Sequence, residues 1–409
     1  MTALFAPSAR SNPQAPWRDD PPRPHRVFPA GPARRPAARR CRQGAAWILA
    51  AAFVAVTTLA GCSATSTDDA GPSDTAATSP AGAPGSERAP AGGETVRLVT
   101  HDSFAVSEGL FEQFTADTGY AVEVIPMGDA GALVNQLILT KDNPVGDAVF
   151  GIDTTFASRA ITENVLATSR AATVPGSEEF AAEGEGYLSP IDYSDVCVNI
   201  DHEWFAEAGI VEPATLEDLT KAEYQDLLVV ENPATSSPGL AFLLATVAAF
   251  GEDGWRDYWE ALVAGGVRVV DGWSDAYYVD FSGPSSEGDR PLVVSYASSP
   301  PAEVPDGATV APTGALPDTC FRQVEYAGVL AGAANPEGAA ALVDFLGSVA
   351  FQSDIPESMW VYPVNTDAAL PEAWVEFAPL AEEPWSVSSA EISASRERWI
   401  EEWTATVIG

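Results

Sequence analysis

"VRLVTH" (Val96–His101), "LFEQFTADTG" (Leu110–Gly119), "AVEVIP" (Ala121–Pro126), "ALVNQLIL" (Ala132–Leu139) and "DAVFGI" (Asp147–Ile152) follow one another along the chain. Short apolar runs of strand length take turns with amphipathic stretches of helical period, and the first helix stops at Gly119. This alternation predicts α/β layers around a mostly parallel sheet. It resumes in "VCVNI" (196–200), "LLVVEN" (227–232), "LAFLLATVAAFG" (240–251), "VRVV" (267–270) and "LVVSYA" (292–297). About 310 residues in this style exceed one typical core, so two lobes are expected.

In open α/β sheets, ligands sit beyond the carboxyl ends of the strands. Here those turns read "HDSF" (101–104), "MGDAG" (127–131), "GIDTT" (151–155), "ENPATSSPG" (231–239) and "SYASSP" (295–300). Asp102 and Asp153 stand at strand ends, where a carboxylate can meet a cation. Asp129 is placed either to cap a helix beginning near Ala130 or to reach a ligand. Ser237 followed by Pro238 has the chemistry of a helix start, whose free N–H groups also suit an anion.

The amino end speaks to compartment. Residues 1–43 carry nine Arg and only two acids, Asp19 and Asp20, ahead of an apolar run from Ala45 to Ala60. A basic flank and a run shorter than the roughly 20 residues of a membrane span describe a secretory signal. The run ends in Leu59-Ala60-Gly61-Cys62, which resembles the lipobox of bacterial lipoproteins, so residues 1–61 are expected to be a signal peptide and Cys62 a lipidated amino terminus. Residues 62–93, rich in Ser, Thr, Ala, Gly and Pro, have too few large apolar side chains to build a core and are expected to be a tether. Residues 94–409 then form the folded part. Losing residues 1–61 leaves 12 Lys and Arg against 56 Asp and Glu, a formal −44. So acidic a surface repels nucleic acid and anionic lipid.

Cys197 and Cys320 remain as an even pair in strand-like surroundings, and an oxidising compartment favours a disulfide between them. Beyond Cys62 only His101 and His202 are left, too few for a His/Cys metal cage. His101, Asp102 and Ser103 are consecutive, whereas a working triad converges from separate elements. No G-x-S-x-G, Walker A or dinucleotide fingerprint occurs, so neither catalysis nor a cofactor is expected.

One stretch asks for a ligand: "DGWSDAYYVDF" (Asp271–Phe281) packs Trp273, Tyr277, Tyr278 and Phe281 among three aspartates. Aromatic faces beside carboxylates suit either a half-buried packing segment or a pocket for an organic cation.

Taken together, "HDSF", "GDAGALVNQL", "GIDTTF", "NPATSSPGL", "GWSDAYY", "VVSYASSP" and "MWVYPV" resemble, in order and spacing, the thiamine-binding receptors of bacterial ABC importers, a branch of the type II periplasmic binding proteins. The likeness spans residues 96–405. It implies two α/β lobes with mixed, mostly parallel sheets, joined by a hinge. Lobe 1 takes about 94–190 plus the segments after about 327, and lobe 2 about 191–326. It further implies a monomer that passes thiamine, or a thiamine phosphate, to a permease. The family's ring-facing aromatics fall on Trp273 and Tyr296, with Trp360 closing the cage. Asp102 and Asp153 would meet the charged and aminopyrimidine parts, with Ser103 beside them. Asp129, Thr235, Ser236 and Ser237 would lie near the hydroxyethyl or phosphate end. Tyr278 is assigned to packing on the opposite face. Where the family often carries another aromatic, this chain has Ala302, so that wall is either missing or supplied by another residue such as Tyr277. Other readings are a polyamine or ferric receptor, although Tyr296 is followed by Ala297 and not by the second tyrosine usual for iron, or an exported hydrolase of thiamine compounds.

Overall fold

A computed structural model describes residues 94–168, 174–181, 186–305 and 307–409. The expected signal peptide, lipidated Cys62 and tether lie outside the described residues.

Among the described residues nine strands form a sheet: β1 (Glu94–Thr100), β2 (Tyr120–Pro126), β3 (Ala148–Asp153), β4 (Ser189–Asp201), β5 (Leu228–Glu231), β6 (Arg268–Val270), β7 (Leu292–Tyr296), β8 (Thr313–Val329) and β9 (Tyr362–Pro363). Their order is β2-β1-β3-β8-β4-β7-β5-β6, with β9 on β4. The alternation read from the sequence accounts for the two wings, where β1 pairs parallel with β2 and β3, and β5 pairs parallel with β6 and β7. The middle is antiparallel: β8 runs against β3 and β4, and β4 against β7. β8 pairs with the first wing through β3 and β4 with the second through β7, so the long β4–β8 ladder carries the connection between the two lobes.

Within that crossing, β4 and β8 lose register between Val196 and Val198, opposite Phe321 and Leu316. The looped-out segment contains Pro317, which has no N–H to give a ladder. Cys197 and Cys320 are disulfide-bonded at this place, closing 123 residues, and both are buried. The expected bridge is present.

Burial follows the pattern. Val96, Leu98, Phe114, Phe150, Leu342 and Leu346 fill one layer of the first wing. On the second, the helix Ser237–Ala264, kinked at Gly251 where φ is +68°, buries Leu240, Phe242 and Leu243 against the sheet. The helix Ser389–Val407 packs across it, with the Trp259 and Trp403 rings 5.4 Å apart edge to face.

Candidate functional site

A recess opens between the wings, lined by His101, Ser103, Asp129, Trp273, Tyr277, Tyr278, Tyr296, Ser299, Ala302, Glu325, Met359, Trp360 and Val361. Counted out to its open mouth, with the open solvent there included, it spans about 640 Å³. Both wings and the segment after β8 contribute.

The aromatic wall comes from the turn after β6. Trp273 stacks on Tyr277 with centroids 5.1 Å apart and an interplanar angle of 21°, and its Nε1 donates to Ser295 Oγ at 2.8 Å. Tyr277 is buried and its hydroxyl donates to Glu303 Oε1 at 3.0 Å. Tyr296 meets Trp273 edge-on at 6.2 Å. The Trp360 ring is parallel to that of Trp374, and its backbone holds φ at +57°, a conformation that side chains other than glycine rarely take.

Tyr278 corrects its sequence assignment. Residues Ala276–Asp280 wind as a π turn, and consecutive residues of a helical turn sit only about 100° apart, so both tyrosines share the Trp273 side; Tyr278 stands edge-on to that ring at 5.3 Å and lines the recess.

The other wall is acidic. Asp129 caps the helix Ala130–Leu139 and also reaches across to the second wing. Its Oδ1 accepts from the N–H of Ala130 (2.6 Å) and Ser237 (3.2 Å), and its Oδ2 from the N–H of Trp273 (3.1 Å). Burial pushes its pKa up against these donors. Glu325, on β8, lies 3.4 Å from His101 Nε2. Burial draws the His101 pKa down, but the charges of Glu325, Asp129 and Asp102 outweigh it and leave the ring above its ordinary value. Gly151, at φ +97° in a bulge of β3, makes room for that ring: a Cβ there would stand 2.4 Å from His101 Cδ2. Behind the recess Asp192 is buried with both oxygens unpaired and pairs in register with Glu325; burial first, then Glu325, raises it well above the usual carboxylate range. Among the described residues no Lys or Arg lines the recess.

Of the residues singled out in sequence, Ser103, Asp129, Trp273, Tyr296 and Trp360 come together here. The others lie elsewhere. Asp102 is exposed. Asp153 is fully buried, with Oδ1 accepting from Thr155 N–H (2.9 Å), Thr155 Oγ1 (2.8 Å) and Phe156 N–H (3.0 Å), and Oδ2 from Ser237 Oγ. Burial, partly opposed by the Ser237 and Thr155 donors, lifts its pKa to about 6. Thr235 Oγ1 donates to Asp271 O at 2.7 Å. Ser236, not Ser237, caps the long helix, accepting from Gly239 N–H at 3.3 Å. His101 and Glu325 were missed as lining residues, since nothing local to "QVEYA" tells which face of β8 meets the cleft.

An α/β molecule of two lobes, with a recess of π-faces and carboxylates between them, has the form of a solute receptor. The chain belongs to the bacterial extracellular solute-binding protein family, whose model matches residues 147–381. It is 29% identical to the thiamine-binding periplasmic protein of Salmonella typhimurium, over 78% of this chain and 95% of that one. The Escherichia coli protein of the same name is also 29% identical, over 76% and 92%. Among solved structures, a periplasmic thiamin binding protein matches with TM-score 0.68 and 27% identity over 76% of this chain and 96% of its own. Iron-bound HitA from Pseudomonas aeruginosa, at 18% identity and TM-score 0.59 over 76% and 99%, shares the fold.

Proposed function

We propose that the chain is an extracytoplasmic receptor that binds thiamine between its two lobes and delivers it to an ABC permease, without catalysing a reaction. The observation that carries this reading is the pairing of five aromatic side chains, Trp273, Tyr277, Tyr278, Tyr296 and Trp360, with Asp129 and Glu325 in one recess that no Lys or Arg lines among the described residues. A thiazolium has a fixed positive charge and flat faces, and each desolvated aromatic contact to it is worth about 0.5–2 kcal/mol. The names of the two relatives and of the first solved structure support the same ligand.

In this reading Trp273 and Tyr296 face the ligand rings, Trp360 closes over them, and Asp129 and Ser103 receive polar groups. The lobes divide near 94–190 plus the segments after about 327, and 191–326. Cys62 carries the lipid that holds a monomeric receptor at the membrane, with residues 62–93 as tether. Mass spectrometry of ligand retained through gentle purification, with calorimetry on thiamine, its mono- and diphosphates and spermidine, tests the reading. A thiamine form bound in preference to spermidine is the expected result. No heat with any thiamine form overturns it.

A further inference from the structure

Four of the five rings around the recess are held from behind. Tyr277 is buried and tied to Glu303; Trp273 is tied to Ser295; Tyr296 sits at the end of β7; and Trp360 lies against Trp374. Tyr278 differs. It is 50% exposed, and it also lines a shallow groove on the outside, formed with Val279, Pro284, Ser285, Ser286 and Glu287. Tyr278 thus borders both the ligand recess and the outer groove. The exposed residue Ala302, also on the recess, presents only a methyl group. Tyr278 supplies aromatic wall that Ala302 does not.

We propose that Tyr278 is a specificity-determining residue, a rim wall whose ring sets how large a substituent the bound organic cation can carry at that end. The inference rests on the thiamine reading for its probe ligands and on the two-sided placement of Tyr278 for its content. A ring that moves aside opens the recess onto hydroxyl and carboxylate groups, Ser285, Ser286 and Glu287, so the cations admitted would be those with neutral or basic extensions. A bulky anionic extension would meet Glu287.

The test compares thiamine with two extended probes, O-benzoylthiamine and thiamine benzylated on its aminopyrimidine nitrogen, by calorimetry on the full secreted domain. Wild type should prefer thiamine to both by tenfold or more. Tyr278→Ala should lose roughly three- to tenfold for thiamine, as for a partly exposed cation–π contact, and at the same time gain for one of the two probes, so that the selectivity ratio for that probe falls by at least tenfold. Tyr278→Phe should keep the wild-type selectivity ratio for both probes, because the wall is the ring. Tyr278→Ala combined with Ala302→Tyr should restore both thiamine affinity and discrimination. Equal changes for thiamine and both probes in Tyr278→Ala, in a variant whose melting temperature matches wild type, would overturn the inference while leaving the thiamine reading intact. Wild type that binds no thiamine removes both.

Discussion

Replacing Trp273 by alanine tests the cation cage most directly. The indole stacks on Tyr277, stands edge-on to Tyr278 and Tyr296, and faces the recess. Its loss removes a desolvated cation–π contact of up to about 2 kcal/mol and stacking of about 1 kcal/mol. Together these come to about 2–3 kcal/mol, or roughly 30- to 150-fold in Kd. The fold should tolerate the change, because Ser295 Oγ keeps Ser299 Oγ at 3.1 Å as a partner when the indole N–H is gone. Trp273→Phe should recover part of the affinity. Calorimetry with thiamine and with 3-deazathiamine, whose ring lacks the positive charge, separates charge from shape: the neutral analogue should lose less on Trp273→Ala. Equal losses for the two ligands would refute the cation–π account, and unchanged thiamine affinity in the folded variant would take the "GWS" turn out of the site.

Thiamine affinity should fall as pH drops through the raised pKa of His101, since the imidazolium adds positive charge beside a cationic ligand; titrations between about pH 5.5 and 8.5 should show the slope, and His101→Gln should flatten it. Asp153, raised in the folded state from 3.8 to about 6, favours the protonated form, so wild-type stability should decline as pH rises between those values. The gap in urea-unfolding free energy between Asp153→Asn and wild type should therefore widen in favour of Asn by up to about 3 kcal/mol from pH 4 to 7; a constant gap would count against the shift. Cys197 and Cys320 should resist alkylation without reductant, and the double alanine variant should lose about 4–5 kcal/mol on the chain-entropy model, read by denaturant titration. Cys62→Ser should release the receptor from the membrane fraction with ligand affinity unchanged, and continued retention would point to residues 45–60 as an anchor.

The strands of both wings were legible because each is a short apolar run closed by turn residues, as in "AVEVIP" and "LVVSYA". The crossing was less so. β8 contains Pro317 and several polar residues, and only its pairing on both edges makes it one strand. At the site, Trp273, Tyr296 and Asp129 could be picked out from residue type and position after strands. Tyr278 was misplaced: assigned to packing on the opposite face, it stands edge-on to Trp273 and lines the recess, a ring contact that residue type alone does not show. Asp153 and Ser237 looked like ligand groups, but they satisfy each other behind the recess. His101, just after β1, meets Glu325 of β8 across β3, which pairs with both strands, a contact between residues 224 apart that no local pattern encodes.

The order of strands also bears on how the chain is made. β3 finds its second neighbour only in Glu325–Val329, so from the moment residue 153 emerges until β8 follows, its outer edge offers unpaired N–H and C=O groups to any other strand. β4 waits in the same way for Thr313–Ala327. A chain cut short before residue 313 would leave both edges open at the centre of the sheet, each flanked by fully apolar residues such as Val149 and Val198. Prematurely ended products of this gene should therefore aggregate, whereas truncation after β8, within the helix Ser389–Val407, leaves every ladder of the sheet closed.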